Sequence, residues 1–286
     1  MVTLIGAPDV APLDRATVAR AAAAIGADVD VLADGIACDL TPPEGFATDA
    51  LRAALDGVPV DIVVQPADGR RKRILVADMD STMIRQECID ELAAEAGIGE
   101  AVAAITEGAM RGEIDFERSQ RQRVGLLAGL EIAAIERVLA GRIEHASGAA
   151  TLVRTMRAHG GYCALVSGGY TAFTGPVAAA LGFDEHRANV LEDDGAVLTG
   201  GLHEPILGAD AKAAALREIA AAQGSEPHDA IAVGDGANDL AMIALAGTGV
   251  ALHAKPIVAE AAPHRIDHGD LTALLYIQGY RESDLA

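Results

Sequence analysis

The sequence predicts an α/β protein built on a parallel sheet, and three observations carry that prediction. Short apolar runs, Ile74-Leu75-Val76-Ala77, Tyr162-Cys163-Ala164-Leu165-Val166 and Ala230-Ile231-Ala232-Val233, read as strands buried on both faces. Helical periodicity separates them, which is the pattern of strand–helix–strand units. Each run also ends in a small polar cluster: Asp78-Met79-Asp80-Ser81-Thr82, Ser167-Gly168-Gly169 and Gly234-Asp235-Gly236-Ala237-Asn238-Asp239. Open α/β sheets bind ligands beyond the carboxyl ends of their strands, so the clusters point to one site.

Taken in order, residues 1–70 carry a pattern of their own. Val2–Ile5 reads as a strand, Asp14–Ile25 as an Ala-rich helix, and Asp28–Leu40 as two short strands. A helix over Thr48–Leu55 and a strand over Val60–Val64 complete a β-α-β-β-α-β order. That order predicts a small ferredoxin-like or ACT-like α+β module, with regulation, dimerisation and stabilisation of the core all left open as its role. Gln65–Gly69 reads as a linker, and Arg70-Arg71-Lys72-Arg73 as a solvated lead-in to the next strand. Deletion of the residues before Arg71 is expected to leave turnover largely intact. Residues 71–286 form the larger domain, in which helical periodicity without a convincing strand marks an insertion at about 87–145. A helix over Ser147–His159, a helix starting near Thr171, a hairpin around Asp193-Asp194-Gly195 and a helix over Ala211–Gln223 follow. A strand at Thr248–Leu252 closes the predicted pattern.

Composition narrows the function. A formal charge of −20 over 286 residues repels nucleic-acid backbone, so a phosphorylated substrate must be small and held by locally placed cations and N–H groups. Cys38, Cys88 and Cys163 are far apart, with no C-x-x-C pair, which argues against disulfides or zinc and suits a reduced cytoplasm. No apolar stretch reaches the roughly 20 residues of a spanning helix, and no basic leader precedes the first strand.

The clusters carry the chemistry. Alternation along a strand places Asp78 and Asp80 side by side at its carboxyl end. Adjacent carboxylates repel, and a hard divalent cation such as Mg²⁺ is the natural counter-charge. Ser167-Gly168-Gly169 before a helix can bring backbone N–H groups to an anion, although it is also a common turn. Asp235 on a neighbouring strand end can complete the cation site, and Lys212 can balance phosphoryl oxygens if it is not simply a surface lysine.

Asp-x-Asp-Ser-Thr, Ser-Gly-Gly, an isolated Lys and Gly-Asp-Gly-Ala-Asn-Asp, in this order, resemble the four motifs of the haloacid dehalogenase (HAD) superfamily. Glu87, seven residues after Asp80, and the segment Met110–Ser119 continuing to Val124 resemble its phosphoserine phosphatase family in particular. The resemblance covers about Lys72 to Leu275 and implies a Rossmann-like HAD core with an inserted helical cap. It implies Asp78 as the nucleophile forming an aspartyl-phosphate, and Asp80 as general acid and then base, with a pKa above that of metal-bound Asp78. It implies Mg²⁺ held by the Asp78 carboxylate, the Asp80 backbone carbonyl and Asp235. Ser167, Gly168 and Lys212 would hold the phosphoryl oxygens, with Asn238 nearby. Asp239 would orient Lys212 or metal waters, or cap the following helix. Arg123 would fork onto the substrate carboxylate and Glu87 would meet its ammonium. Met110 and Phe116 would shield the pocket, with a plain core role open to both. The implied substrate is O-phospho-L-serine, the implied product L-serine at the end of its biosynthesis; a related phosphatase or phosphotransferase acting on another small phosphomonoester is the alternative. A homodimer is one of the assemblies left open.

Overall fold

A computed structural model describes residues 1–7, 12–110 and 113–286, the side chain of Met110 excepted. The pocket role expected of Met110 therefore lies outside the described residues. The chain starts with β1 (Val2–Gly6), α1 (Arg15–Ile25), β2 (Asp28–Ala33), β3 (Ala37–Thr41), α2 (Thr48–Ala54) and β4 (Val60–Val64). These strands form one antiparallel sheet in the order β2-β3-β1-β4, as the βαββαβ pattern predicts. Local chemistry sets α1: Asp14 accepts a hydrogen bond from the Thr17 N–H at 2.6 Å, and Gly26, at φ 65°, ends the helix. Val2, Leu4, Leu40 and Val60 pack against Ala21, Ile25, Leu51 and Leu55 on one face of the sheet.

The other face sets Asp30, Asp39 and Asp61 among apolar residues such as Ile5 and Val63. Register sets Thr3 opposite Asp39, Ile5 opposite Asp61 and Asp30 opposite Asp39, and opposed residues share a face. Asp39 accepts from the Thr3 hydroxyl at 2.7 Å and from Arg70 Nη2 at 2.6 Å. Arg281 donates to Asp30 at 2.6 Å and to the Val31 carbonyl at 2.9 Å. Asp61 accepts from three successive backbone N–H groups, those of Asp267 (2.7 Å), His268 (3.2 Å) and Gly269 (2.7 Å). The basic run is thus not a solvated lead-in, because it crosses this seam. Arg70 is paired with Asp39, Arg71 lies 3.8 Å from the centroid of the Tyr280 ring, and Lys72 Nζ donates to the His228 carbonyl at 3.0 Å.

The main sheet begins with β5 (Ile74–Ala77). The insertion follows as α3 (Cys88–Glu95), α4 (Gly99–Met110), α5 (Phe116–Gly125) and α6 (Ala133–Gly141). Then come α7 (Ala149–Ala158), β6 (Tyr162–Tyr170), α8 (Thr171–Leu181), β7 (Glu185–Asn189) and the hairpin β8 (Leu191–Asp193) and β9 (Leu198–Leu202). The chain finishes with α9 (Ala209–Ala222), β10 (Ala230–Gly234), α10 (Leu240–Leu245), β11 (Thr248–Leu252), α11 (Pro256–Ala261), β12 (His264–Ile266) and α12 (Ala273–Ile277). The six strands are parallel, in the order β12-β11-β10-β5-β6-β7. Alternation sends Ile74, Val76, Ala164 and Val166 to one face with Leu216 and Ile219, and Leu75, Ala77, Cys163 and Leu165 to the other with Leu152 and Phe173. The chain builds outward from β5 to β7, then crosses to β10, so the switch point lies between β5 and β10.

Two strands depart from the sequence pattern. β7, Glu-His-Arg-Ala-Asn, and β12, His-Arg-Ile, lie at the two edges of the sheet, where solvent replaces one neighbour and no apolar run is required. β11 therefore does not close the sheet. Cys38, Cys88 and Cys163 are free and buried, and burial pushes the Cys38 and Cys163 thiols up to about 12. Among the described residues no helix is long and apolar enough to cross a membrane.

Candidate active site

Asp78 extends the ladder by one residue past β5, its N–H donating to the Val233 carbonyl at 3.0 Å. The chain then leaves the sheet. The N–H groups of Thr82, Met83 and Ile84 converge on the Met79 carbonyl at 3.3, 2.9 and 3.0 Å, and Ser81 adopts φ 53°, a left-handed conformation uncommon for a serine. Strand alternation is thus not what brings Asp80 beside Asp78. A tight turn does so, and it fixes Asp80 through a 3.2 Å hydrogen bond from the Cys88 N–H.

Beneath this turn lies Lys212, on the first turn of α9. It is fully buried, with Nζ 2.8 Å from Asp78 Oδ1 and 2.6 Å from Asp239 Oδ1. Burial alone would lower its pKa, but Asp239 and Asp78 outweigh it and hold the ammonium charged. Asp239 also accepts from the Gly236 N–H at 3.0 Å, so it both orients Lys212 and ties down its own loop. Burial and the Asp78 charge push Asp239 up to about 7, despite the lysine. Burial, Glu87 and Asp78 raise Asp80 to about 8. Burial, Asp78 and Glu87 raise Asp235 to about 6, and the Thr82 hydroxyl donates to it at 3.2 Å.

The Ser167-Gly168-Gly169 loop is a close-packed floor. Ser167 Oγ accepts from the Gly169 N–H at 2.8 Å, and the Gly168 carbonyl accepts from Gln120 Nε2 at 2.6 Å and Asn189 Nδ2 at 2.8 Å. The glycines are required by proximity: a Cβ at Gly168 would lie 3.1 Å from the Phe116 ring, and one at Gly169 would lie 2.7 Å from Asp80 Oδ2.

A cleft of about 560 Å³ opens over the floor. Asp78, Asp80, Glu87, Phe116, Arg123, Ser167, Gly168, Asp235 and Asn238 all line it, so the structure brings together nearly every predicted site residue, with Lys212 and Asp239 directly below. Glu87 stands at the exposed mouth and accepts from the Ser81 hydroxyl at 2.6 Å; desolvation by the walls and the Asp78 charge raise its pKa. Arg123 donates through Nη2 to Gln120 Oε1 at 3.1 Å and through Nη1 to the Thr106 hydroxyl at 3.5 Å. The sequence reading missed Ser119, Gln120, Tyr170, Lys255 and Ile257, which also line the cleft. Ser119 and Gln120 carry no signal of their own because α5 is polar on all sides. The left-handed Ser81 is likewise invisible in a motif where serine is ordinary.

The donor set suits a hard cation. Carboxylate oxygens of Asp78, Asp235 and Asp239 lie within 4.8 Å of one another, and Lys212 is the one buried ammonium facing them among the described residues. Burial first, and neighbouring carboxylates after it, push Asp80, Asp235 and Asp239 upward, and a divalent cation would offset the second contribution. The Asp80 side chain is not part of this group, and Asp239 is committed to Lys212.

A parallel sheet with a carboxylate turn, a buried lysine and an acidic loop meeting at its switch point, under a helical insertion, defines a class of hydrolase. The haloacid dehalogenase-like hydrolase profile matches residues 75–244, and the chain belongs to that family. Its curated relatives include a phosphoserine phosphatase of Archaeoglobus fulgidus, 43% identical over 78% of this chain and 65% of the relative. A phosphoserine phosphatase of Streptomyces coelicolor is 38% identical over 100% of this chain and 72% of the relative. A solved phospho-aspartyl intermediate analogue of a phosphoserine phosphatase superposes with a TM-score of 0.67 at 40% identity, covering 72% of this chain and 98% of its own.

Proposed function

We propose that this enzyme hydrolyses O-phospho-L-serine to L-serine and phosphate in the cytoplasm, as the last step of serine formation. The observation that carries the reading is the stacking of charges in one cleft: Glu87 and Arg123 at the level of an amino acid, above Asp78, Lys212 and the Ser167-Gly168 floor at the level of a phosphate. The phosphoserine phosphatase relatives support the same substrate.

Both contacts of Asp78, from the Met79 N–H at 2.8 Å and from Lys212, fall on Oδ1. Oδ2 is therefore the oxygen that attacks phosphorus as the ester P–O bond breaks. Asp80, its carboxyl pushed upward first by burial and then by Glu87, gives its proton to the leaving serine oxygen. The resulting Asp80 carboxylate takes a proton from water, whose oxygen displaces phosphate from the aspartyl-phosphate and restores Asp78. Lys212, Ser167 and the Gly168 N–H steady the phosphoryl oxygens, where charge sits in a loose transition state. Asp78, Asp235 and the Asp80 backbone carbonyl would hold Mg²⁺, which when bound neutralises phosphoryl and nucleophile charge. Phe116, on α5 of the insertion and packed against the Gly168 floor, helps the insertion keep bulk water out.

The test is Mg²⁺-dependent phosphate release from O-phospho-L-serine beside O-phosphothreonine and an aryl phosphate. The expected result is a preference of at least about 100-fold for phosphoserine over the aryl ester, since unpaired Glu87 and Arg123 penalise a substrate without their partners. Equal rates on all three would keep the Asp78 chemistry and remove the phosphoserine assignment.

A further inference from the structure

Ser119 is 1% exposed, yet its hydroxyl has no hydrogen-bond partner among the described residues. The same holds for Nε of Arg123. Buried donors are almost always paired in folded proteins, so each calls for an explanation. The two residues are four apart on α5, which places them one turn apart on the same face, and both line the cleft. Their neighbour Gln120 is fully engaged: its amide donates to the Gly168 carbonyl, and its oxygen accepts from Arg123 Nη2 at 3.1 Å and from the Tyr170 hydroxyl at 3.3 Å. Gln120 and Thr106 thus hold the far side of the guanidinium and leave its Nε edge free.

Two unpaired donors, an O–H and an N–H, one helical turn apart, fit a ligand with two acceptor oxygens in one plane. The adjacent Arg123 guanidinium is the cation at this end of the cleft and favours an anionic acceptor. The phosphate end of the cleft is already supplied by Lys212 and the Ser167-Gly168 floor. We propose that Ser119 is a specificity-determining residue, its Oγ–H joining the Arg123 Nε–H in a two-point receptor for the substrate's α-carboxylate. This rests on the amino-acid phosphate reading above.

The experiment compares wild type and Ser119→Ala on O-phospho-L-serine and on O-phosphoethanolamine, which keeps the ammonium and phosphate but lacks the carboxylate. Ser119→Ala is expected to raise KM for phosphoserine about 10-fold with kcat within about twofold, and to leave kcat/KM for phosphoethanolamine unchanged, as loss of one hydrogen bond to a charged group implies. Its thermal midpoint should stay level or rise, because an unpaired buried hydroxyl is removed. Ser119→Cys, close in volume but a weak donor, should give an intermediate KM and covers the case in which Ala perturbs folding. A parallel change on both substrates, or none on phosphoserine, overturns the receptor. A wild-type enzyme that treats the two substrates alike overturns the amino-acid reading itself, and the variants are not needed to see it.

Discussion

Lys212 shows how much one residue can organise. Fully out of water, it bridges Asp78 and Asp239 and is the cation that makes their proximity tolerable. Lys212→Met should cost about 3–5 kcal/mol in urea unfolding, the penalty for stranding a buried charge, and should abolish phosphate release. Lys212→Met with Asp239→Leu should recover much of the stability and none of the activity; a double variant no more stable than the single would contradict this. The raised carboxylates make a second prediction. A carboxyl held above its ordinary value near 4 favours folding below that value and forfeits the benefit as pH rises through the folded pKa, here about 6, 7 and 8 for Asp235, Asp239 and Asp80. Metal-free protein should therefore lose thermal stability between pH 5 and 8 through these groups. Added Mg²⁺ should raise the midpoint more at pH 8 than at pH 5, and an equal gain at both would show that the cluster is not the origin. Asp80→Asn should flatten the metal-free trend.

Among the elements, the loop after Val166 and the helix α5 carry the fit between core and insertion. Gly168→Ala meets the end of the Phe116 side chain, which can swing, whereas Gly169→Ala meets the Asp80 carboxylate, which cannot move without leaving the place the proposed mechanism requires. Gly169→Ala should reduce turnover at least about 100-fold and Gly168→Ala far less, because displacement of a reacting group by about 1 Å carries a cost of that order. Comparable losses would mean that the two contacts yield equally. The legibility of these elements follows from their burial. Strands β5, β6 and β10 stood out as short continuous apolar runs, and helices α7 and α9 because their apolar residues repeat at the helical period. Helix α5 was legible only as part of a polar helical stretch: its buried positions, Ser119, Gln120 and Val124, form no apolar stripe.

For the whole molecule, the N-terminal module that precedes the Gln65–Gly69 segment packs against the larger domain. Ile5, Leu32, Ala33 and Val63 share one apolar cluster with Leu271, Leu274 and Ile277, and Asp61 grips the loop that follows β12. That loop continues to Asp270, which accepts from the Ser147 hydroxyl at 2.6 Å beside the return of the insertion, where the Ala146 N–H donates to the Met83 carbonyl at 2.9 Å. Asp61→Asn should therefore lower unfolding free energy by about 1–3 kcal/mol, the cost of an imperfectly paired buried group, and speed proteolysis of residues 264–272. A truncation starting at Arg71 should be less stable than the full chain because it uncovers this seam; unchanged unfolding would restore the view of the module as an appendage.

The sequence by itself determined the central strands and the helices of the core, the three polar strand ends and the motif residues that meet in the cleft, because apolar patterning and motif spacing encode them directly. Tertiary structure alone decided that Lys212 is buried, that Ser119 and Gln120 line the cleft, that Arg70 is paired with Asp39, and that edge strands β7 and β12 exist. Each of these depends on what a polar residue finds across a gap in space, and a polar side chain looks the same in sequence whether water or another residue satisfies it.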